Sequence, residues 1–159
     1  MNYNLKPNIL IISIDSLSYQ RFSAQLKTAK TPNIDKLGKN GTIFHQAISS
    51  ADGTELSWIS LLASQHPLQK KLSSQLLTKF EFDKKTHFHS LKNFDYHIYG
   101  TIPANGILFS LEDDFENNDA AYTSEFRIYD GLGDKIFKNF DNKLHSPWVY
   151  FMHLLDLHQ

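Results

Sequence analysis

The sequence predicts an α/β domain built on a mostly parallel central sheet flanked by helices. Short β-branched runs recur along the chain, and segments with helical punctuation separate them. No internal repeat or linker divides the chain, and its 159 residues are about one domain's worth, enough for a real core.

The first element is NILIISID, Asn8 to Asp15, a nearly continuous aliphatic run. Such a run fits a strand buried on both faces of a parallel sheet, and this one ends abruptly in a carboxylate. TPNIDKLGKNG then reads as a helix: Thr31 to cap it, Pro32 in the first turn, Gly41 to close it in a left-handed conformation. TIFHQAIS, Thr42 to Ser49, is a second strand by composition. A polar loop, SSADGT, leads into TELSWISLLASQHP, where a helix spans about Glu55 to Ser64 and ends near Pro67. A Lys- and Ser-rich segment follows to about Lys85. HFHSLKN predicts a short helix before the strand YHIYGTI, Tyr96 to Ile102. Pro103 to Ser124 is acidic and irregular and reads as a long surface loop. Asp130 to Phe140 is helical, with Ile136, Phe137 and Phe140 on one side, although Gly131 and Gly133 weaken its start. PWVYFMHLLD, Pro147 to Asp156, is a last buried strand.

Composition removes several classes of function. A formal net charge of -1 gives no electrostatic reason to expect nucleic acid or an anionic membrane as partner. The pairs Lys70-Lys71 and Lys84-Lys85 belong to solvated faces. With 12 Phe, 7 Tyr and 2 Trp in a chain that is 41% hydrophobic, the aromatics are core residues rather than a base-stacking platform. The absence of cysteine excludes disulfides and thiolate metal sites. The start of the chain carries one Lys and a short apolar run without a small-residue cleavage site, so no signal peptide is expected. No segment approaches the roughly 20 apolar residues of a membrane span, and cytoplasm is the default compartment.

In a parallel sheet, ligands bind beyond the carboxyl ends of the strands. That rule selects Asp15 after the first strand, Thr54 after the second, and Asp156 with His158 after the last. Asp15 either caps the following turn, Ser16 to Ser18, or binds a cation, because a lone carboxylate at the mouth of an apolar strand is costly. Thr54 either caps its helix or stands where the unpaired N–H groups of a helix start attract an anion. A threonine hydroxyl becomes a nucleophile when a divalent cation activates it, and an Asp from a neighbouring strand end is a suitable hard ligand for that cation. His158 is a surface histidine, or it donates a hydrogen bond to an anionic substrate or a proton to a leaving group. His45, His97 and His153 lie in predicted strands and are partly buried. His66, His87, His89 and His145 have no partner at metal-binding spacing.

Four segments in order resemble the N-terminal half of the sulfatase-like branch of the alkaline phosphatase superfamily. KPNILIISIDSL resembles its opening strand and metal-binding Asp, and TPNIDKLGKNGTIFHQAIS is similar to the segment that follows. TELSWISLLASQHP resembles the nucleophile helix, and HSPWVYFMHLLDLHQ resembles a later strand ending in a histidine. The resemblance implies that Asp15 is a metal ligand, that Thr54 is both nucleophile and ligand, and that His158 faces the substrate's anionic group. It implies a divalent cofactor (calcium, manganese, zinc or magnesium) and, as substrate, a small-molecule, glycan or lipid-headgroup ester of phosphate or sulfate. Residues 1–159 would be the N-terminal part of such a catalytic domain, with its C-terminal half and remaining metal ligands absent.

The departures point to phosphate. Sulfatases convert a Cys or Ser within C/S-x-P/A-x-R to formylglycine, whereas here TELSW places Thr54 first, Leu56 at the Pro/Ala position and Trp58 at the Arg. Ser16 stands where a second Asp is usual, and YGTIPANG offers no match to the family's Lys-containing segment. A Thr nucleophile resembles the phosphoryl-handling relatives of the branch: phosphodiesterases, phosphoethanolamine transferases and lipoteichoic-acid-type phosphoglycerol transferases. Two other readings stay open: a non-catalytic relative that binds an anion, and an unrelated flavodoxin-like binding domain that has no reason to bring Asp15 and Thr54 together.

Overall fold

Two aliphatic runs, ILIISI and WVYFMHL, form the centre of the sheet because β-branched and aromatic side chains suit a pleated surface covered on its faces. The computed structural model describes residues 6–22, 28–64, 66, 86–142 and 144–158. Its strands are β1 (Ile9–Ile14), β2 (His97–Pro103), β3 (Ala121–Tyr122) and β4 (Trp148–Leu154). The sheet order is β1-β4-β2-β3, and every pairing is parallel. The ladder from Ile9 opposite Val149 to Ile14 opposite Leu154 fixes the register of β1 on β4. This is the predicted α/β class.

Side chains alternate between two cores, as a period of two requires. Val149 and Phe151 of β4 face a core with Ile98 and Ile102 of β2 and with Trp58, Ile59 and Leu62. That core lies under helices α3 (Thr54–Ala63) and α4 (His87–Lys92) and a 3₁₀ helix (Ile107–Asp114). Tyr150, Met152 and Leu154 face the other way, toward Leu132 and Ile136 of α5 (Leu132–Asn142). Two short elements, α1 (Tyr19–Phe22) and α2 (Pro32–Asn40), lie between β1 and α3 in the chain. Among the described residues no helix is long and apolar enough to cross a membrane.

Several expectations are corrected. β1 is an edge strand, not one buried on both faces: Leu10 is 46% and Ile12 50% exposed, because α5 packs on the β4 side of the sheet. Residues 42–49 run as turn and loop rather than as a strand, with Phe44 and Ile48 exposed. Thr31 does begin α2, but its hydroxyl donates to Asp35 Oδ1 at 3.1 Å instead of capping the backbone, and Gly41 closes the helix in an extended conformation. The span from Pro103 to Ser124 is not a surface loop throughout: Leu108, Leu111, Phe115, Ala120 and Tyr122 are buried, and the segment includes β3. A 3₁₀ turn (Ile128–Asp130) precedes α5, joined to it by Gly131 at φ 107°, a conformation that favours glycine. Ile136 faces the core as expected, whereas Phe137 points to solvent. The Lys- and Ser-rich segment and both lysine pairs lie outside the described residues.

Gly100 in β2 shows how tightly the α3 side is packed. A Cβ there would lie 2.6 Å from the ring of Phe115, and the Asn117 side chain clamps Gly100 by accepting from its N–H at 2.8 Å and donating to its carbonyl at 2.9 Å. Gly100→Ala is expected to cost about 1–3 kcal/mol by overpacking, read as a lower urea midpoint. Adding Phe115→Leu should recover part of that loss, and an unchanged midpoint for Gly100→Ala would contradict the packing described.

Candidate active site

β1 stops where its last backbone bond, Asp15 N–H to Leu154 carbonyl at 2.9 Å, is followed by Ser16 in the left-handed region at φ 59°. The turn leaves the Asp15 carboxylate on the carboxyl rim of the sheet, with its side chain only 14% exposed. On the same rim α3 begins. Gly53, not Thr54, occupies the cap position, and the preceding loop is tied by Ser57 Oγ donating to the Ala51 carbonyl at 3.1 Å. Thr54 is therefore released from capping. Its hydroxyl donates to Asp15 Oδ1 at 3.2 Å, from an exposed position.

β4 delivers the third group. After Leu154 the chain turns, with His158 N–H donating to the Leu155 carbonyl at 3.0 Å, and His158 Nδ1 lies 2.7 Å from Asp15 Oδ2. Asp15 thus holds a hydroxyl on one oxygen and an imidazole on the other, and does not cap the Ser16–Ser18 turn. Thr54 reaches the rim from a loop rather than from a strand end, since residues 42–49 form none. Asp156, the fourth residue selected by the strand-end rule, is turned away: its Oδ1 accepts from Ile128 N–H at 2.9 Å, and its buried Oδ2 has no partner among the described residues.

These side chains open onto a cleft of about 390 Å³. Pro103, Leu108 and Leu155 supply apolar wall, and Glu55, Glu125 and Arg127 supply charge. His153 lies in its floor, 2% exposed, with Nδ1 2.9 Å from Ser13 Oγ and its ring edge-on to Trp58 at 5.5 Å. Burial lowers the basicity of His153; the negative charge of Asp15 opposes that effect and His158 adds to it. Of the other strand histidines expected to be partly buried, His97 is half-buried and meets Glu116 at 2.9 Å. His45 lies in an exposed loop against Tyr19.

The Sulfatase family model matches residues 7–159. The chain belongs to the Sulfatase family. Searches of curated proteins and of solved structures return no match. The family is hydrolase-like, acts on esters and generally uses a divalent metal. In this sulfatase-family chain, Trp58 is a core residue packed edge-on to Phe151 at 5.1 Å, so nothing cationic projects from that position. Among the described residues no group of three or more His, Asp or Glu side chains is gathered for a metal. The donors that do converge are one carboxylate, one hydroxyl and one imidazole, a set chemically suited to a divalent cation.

Sequence reasoning takes His153 only as a partly buried strand residue and passes over Glu55 and Arg127. The period-two pattern of β4 places His153 on the same face as Phe151, which points to it. Arg127 lies in EFRIY, between two predicted elements, where no local pattern marks it.

The floor of the cleft is also held by Tyr122, whose hydroxyl donates to the His153 carbonyl at 2.8 Å. Burial is the main cause that pushes its phenol up to about 12, with Asp156 and Asp15 adding to it. An unfolded tyrosine ionises near 10, so alkali favours the unfolded chain first. This contribution to stability is complete below pH ~10 and is lost as the pH rises toward about 12. Tyr122→Phe is expected to cost about 1 kcal/mol at pH 8 for the lost hydrogen bond. It should also make the alkaline decline shallower in urea unfolding at pH 8, 10 and 11. An identical decline in both proteins would contradict this placement.

Proposed function

We propose that this sulfatase-family protein cleaves or transfers a phosphoryl or sulfuryl ester through a covalent intermediate on Thr54, with phosphate the favoured group. One observation carries the reading: the exposed Thr54 hydroxyl points its proton at a carboxylate whose other oxygen holds an imidazole. A free threonine hydroxyl is a weak nucleophile near neutral pH and needs such a partner.

Asp15 accepts the Thr54 proton as Oγ1 closes on the phosphorus or sulfur. The new Thr54–O bond to that atom forms as the ester bond to the alcohol breaks, and His158 gives a proton to the departing oxygen. In the second half-reaction water or another alcohol attacks the same atom, His158 takes its proton, and Asp15 returns the first proton to Thr54. Every proton and bond is then restored. Asp15 and Thr54 would hold the divalent cation, with His158 beside them; when bound, it lowers the pKa of the hydroxyl and neutralises charge on the transferred group. The size of the cleft suits the head of a small ester, whose alcohol is a small molecule, a glycan or a lipid headgroup. Phosphate is favoured because a threonine cannot become formylglycine.

Thr54→Ala is expected to lower kcat on a nitrophenyl phosphate by at least about 10³-fold. Because Thr54 is exposed and Asp15 keeps His158 as a partner, the unfolding free energy should fall by no more than about 1.5 kcal/mol, leaving the protein folded. Turnover by Thr54→Ala at the parent rate would contradict the proposal. Calorimetric titration with manganese should give binding that Asp15→Asn weakens. Equal affinity in the two proteins would remove Asp15 as a ligand.

A further inference from the structure

An anionic ester approaching this cleft meets three carboxylates in its walls: Asp15, Glu55 and Glu125. Like charges at such range are repulsive, so a site for an anion needs a fixed positive charge. Among the described residues that line the cleft, Arg127 is the one permanently charged cation. Arg127 is also held in place. Its backbone carbonyl accepts from Asp130 N–H at 3.0 Å and Leu132 N–H at 3.2 Å, and the next N–H, that of Ile128, donates to Asp156 Oδ1 at 2.9 Å. These bonds fold the 123–128 segment from the end of β3 back toward the end of β4. One Nη1–H donates to the Ser124 carbonyl, which orients the half-buried guanidinium. No ion pair to Arg127 forms among the described residues, and a guanidinium has five N–H donors in a planar fork.

We infer that Arg127 is the anion clamp of the cleft, donating to the non-bridging oxygens of the phosphoryl or sulfuryl group while Thr54 attacks. The inference rests on the Thr54 reading and adds a residue to it. Arg127 binds the group in the ground state and more strongly as charge develops, so its removal raises KM and lowers kcat. A role confined to tying the 123–128 segment would use one donor to Ser124, a bond that lysine also makes.

The test uses inorganic phosphate as the calorimetric probe and a nitrophenyl phosphate as the kinetic one, on the parent, Arg127→Gln, Arg127→Lys and Thr54→Ala. Arg127→Gln is expected to weaken phosphate binding by roughly 10- to 100-fold and to lower kcat/KM by about 100-fold. Arg127→Lys keeps the charge but loses the fork, and should fall between Gln and the parent in both. Thr54→Ala should lose turnover. Should Arg127→Gln bind phosphate as the parent does while turnover still needs Thr54, the clamp is refuted and the Thr54 reading stands. Should Gln lose affinity together with a lowered unfolding midpoint while Lys restores both to the parent values, Arg127 is structural and the clamp is again refuted. A parent that neither binds phosphate nor turns over the ester overturns both.

Discussion

The compensation of one carboxylate organises the carboxyl rim of the sheet. Asp15 ends an aliphatic strand and is largely withdrawn from water, a costly position for a charge without partners. The fold supplies two, Thr54 at 3.2 Å and His158 at 2.7 Å, from different helical and strand segments. Their meeting depends on the β1·β4 ladder, which places the last residues of the two strands side by side. It depends equally on α3 starting with Gly53 as its cap, which leaves the Thr54 hydroxyl unspent.

The same arrangement links stability to chemistry. The core under the rim is closely packed: Ile59, Ile98, Val149 and Phe151 are fully buried, and Trp58 packs against both Phe151 and His153. A side chain that would be cationic at the Trp58 position in the resemblance is spent here on packing. In the proposed reading the missing positive charge comes instead from Arg127, carried by a segment that the sequence places far from the nucleophile helix. The charge on the cleft is thus divided between acidic walls, which suit a cation, and one guanidinium, which suits the anion.

Much of this was legible in the chain, and the reasons are physical. ILIISI and WVYFMHL carry the sheet in their composition, and the rule that ligands gather beyond parallel strand ends selects Asp15 and His158 without any contact information. The strand-end rule reaches Thr54 through an expected strand that is a loop in the structure, and what holds of that reasoning is the helix start in TELSW, which the local sequence marks. The edge position of β1 was not legible, since an edge strand and a central one can share the same aliphatic run. Buried residues inside Pro103–Ser124 were missed because acidic residues and short 3₁₀ turns break the periodicity that marks Leu108, Leu111 and Phe115 as core. Asp156 looked equivalent to His158 in LLDLHQ, but only the tertiary bond to Ile128 N–H decides which of the two faces the cleft. Arg127 depends on that same non-local contact.

The central claim is that Thr54, beside Asp15, carries the transferred group. The most direct measurement is acid quench of the protein during turnover of a phosphate ester in the presence of a divalent cation, followed by peptide mass spectrometry. The account predicts a phosphoryl group on the peptide that contains Thr54, located at that residue by fragmentation. A phosphoryl group found on a different side chain would contradict it.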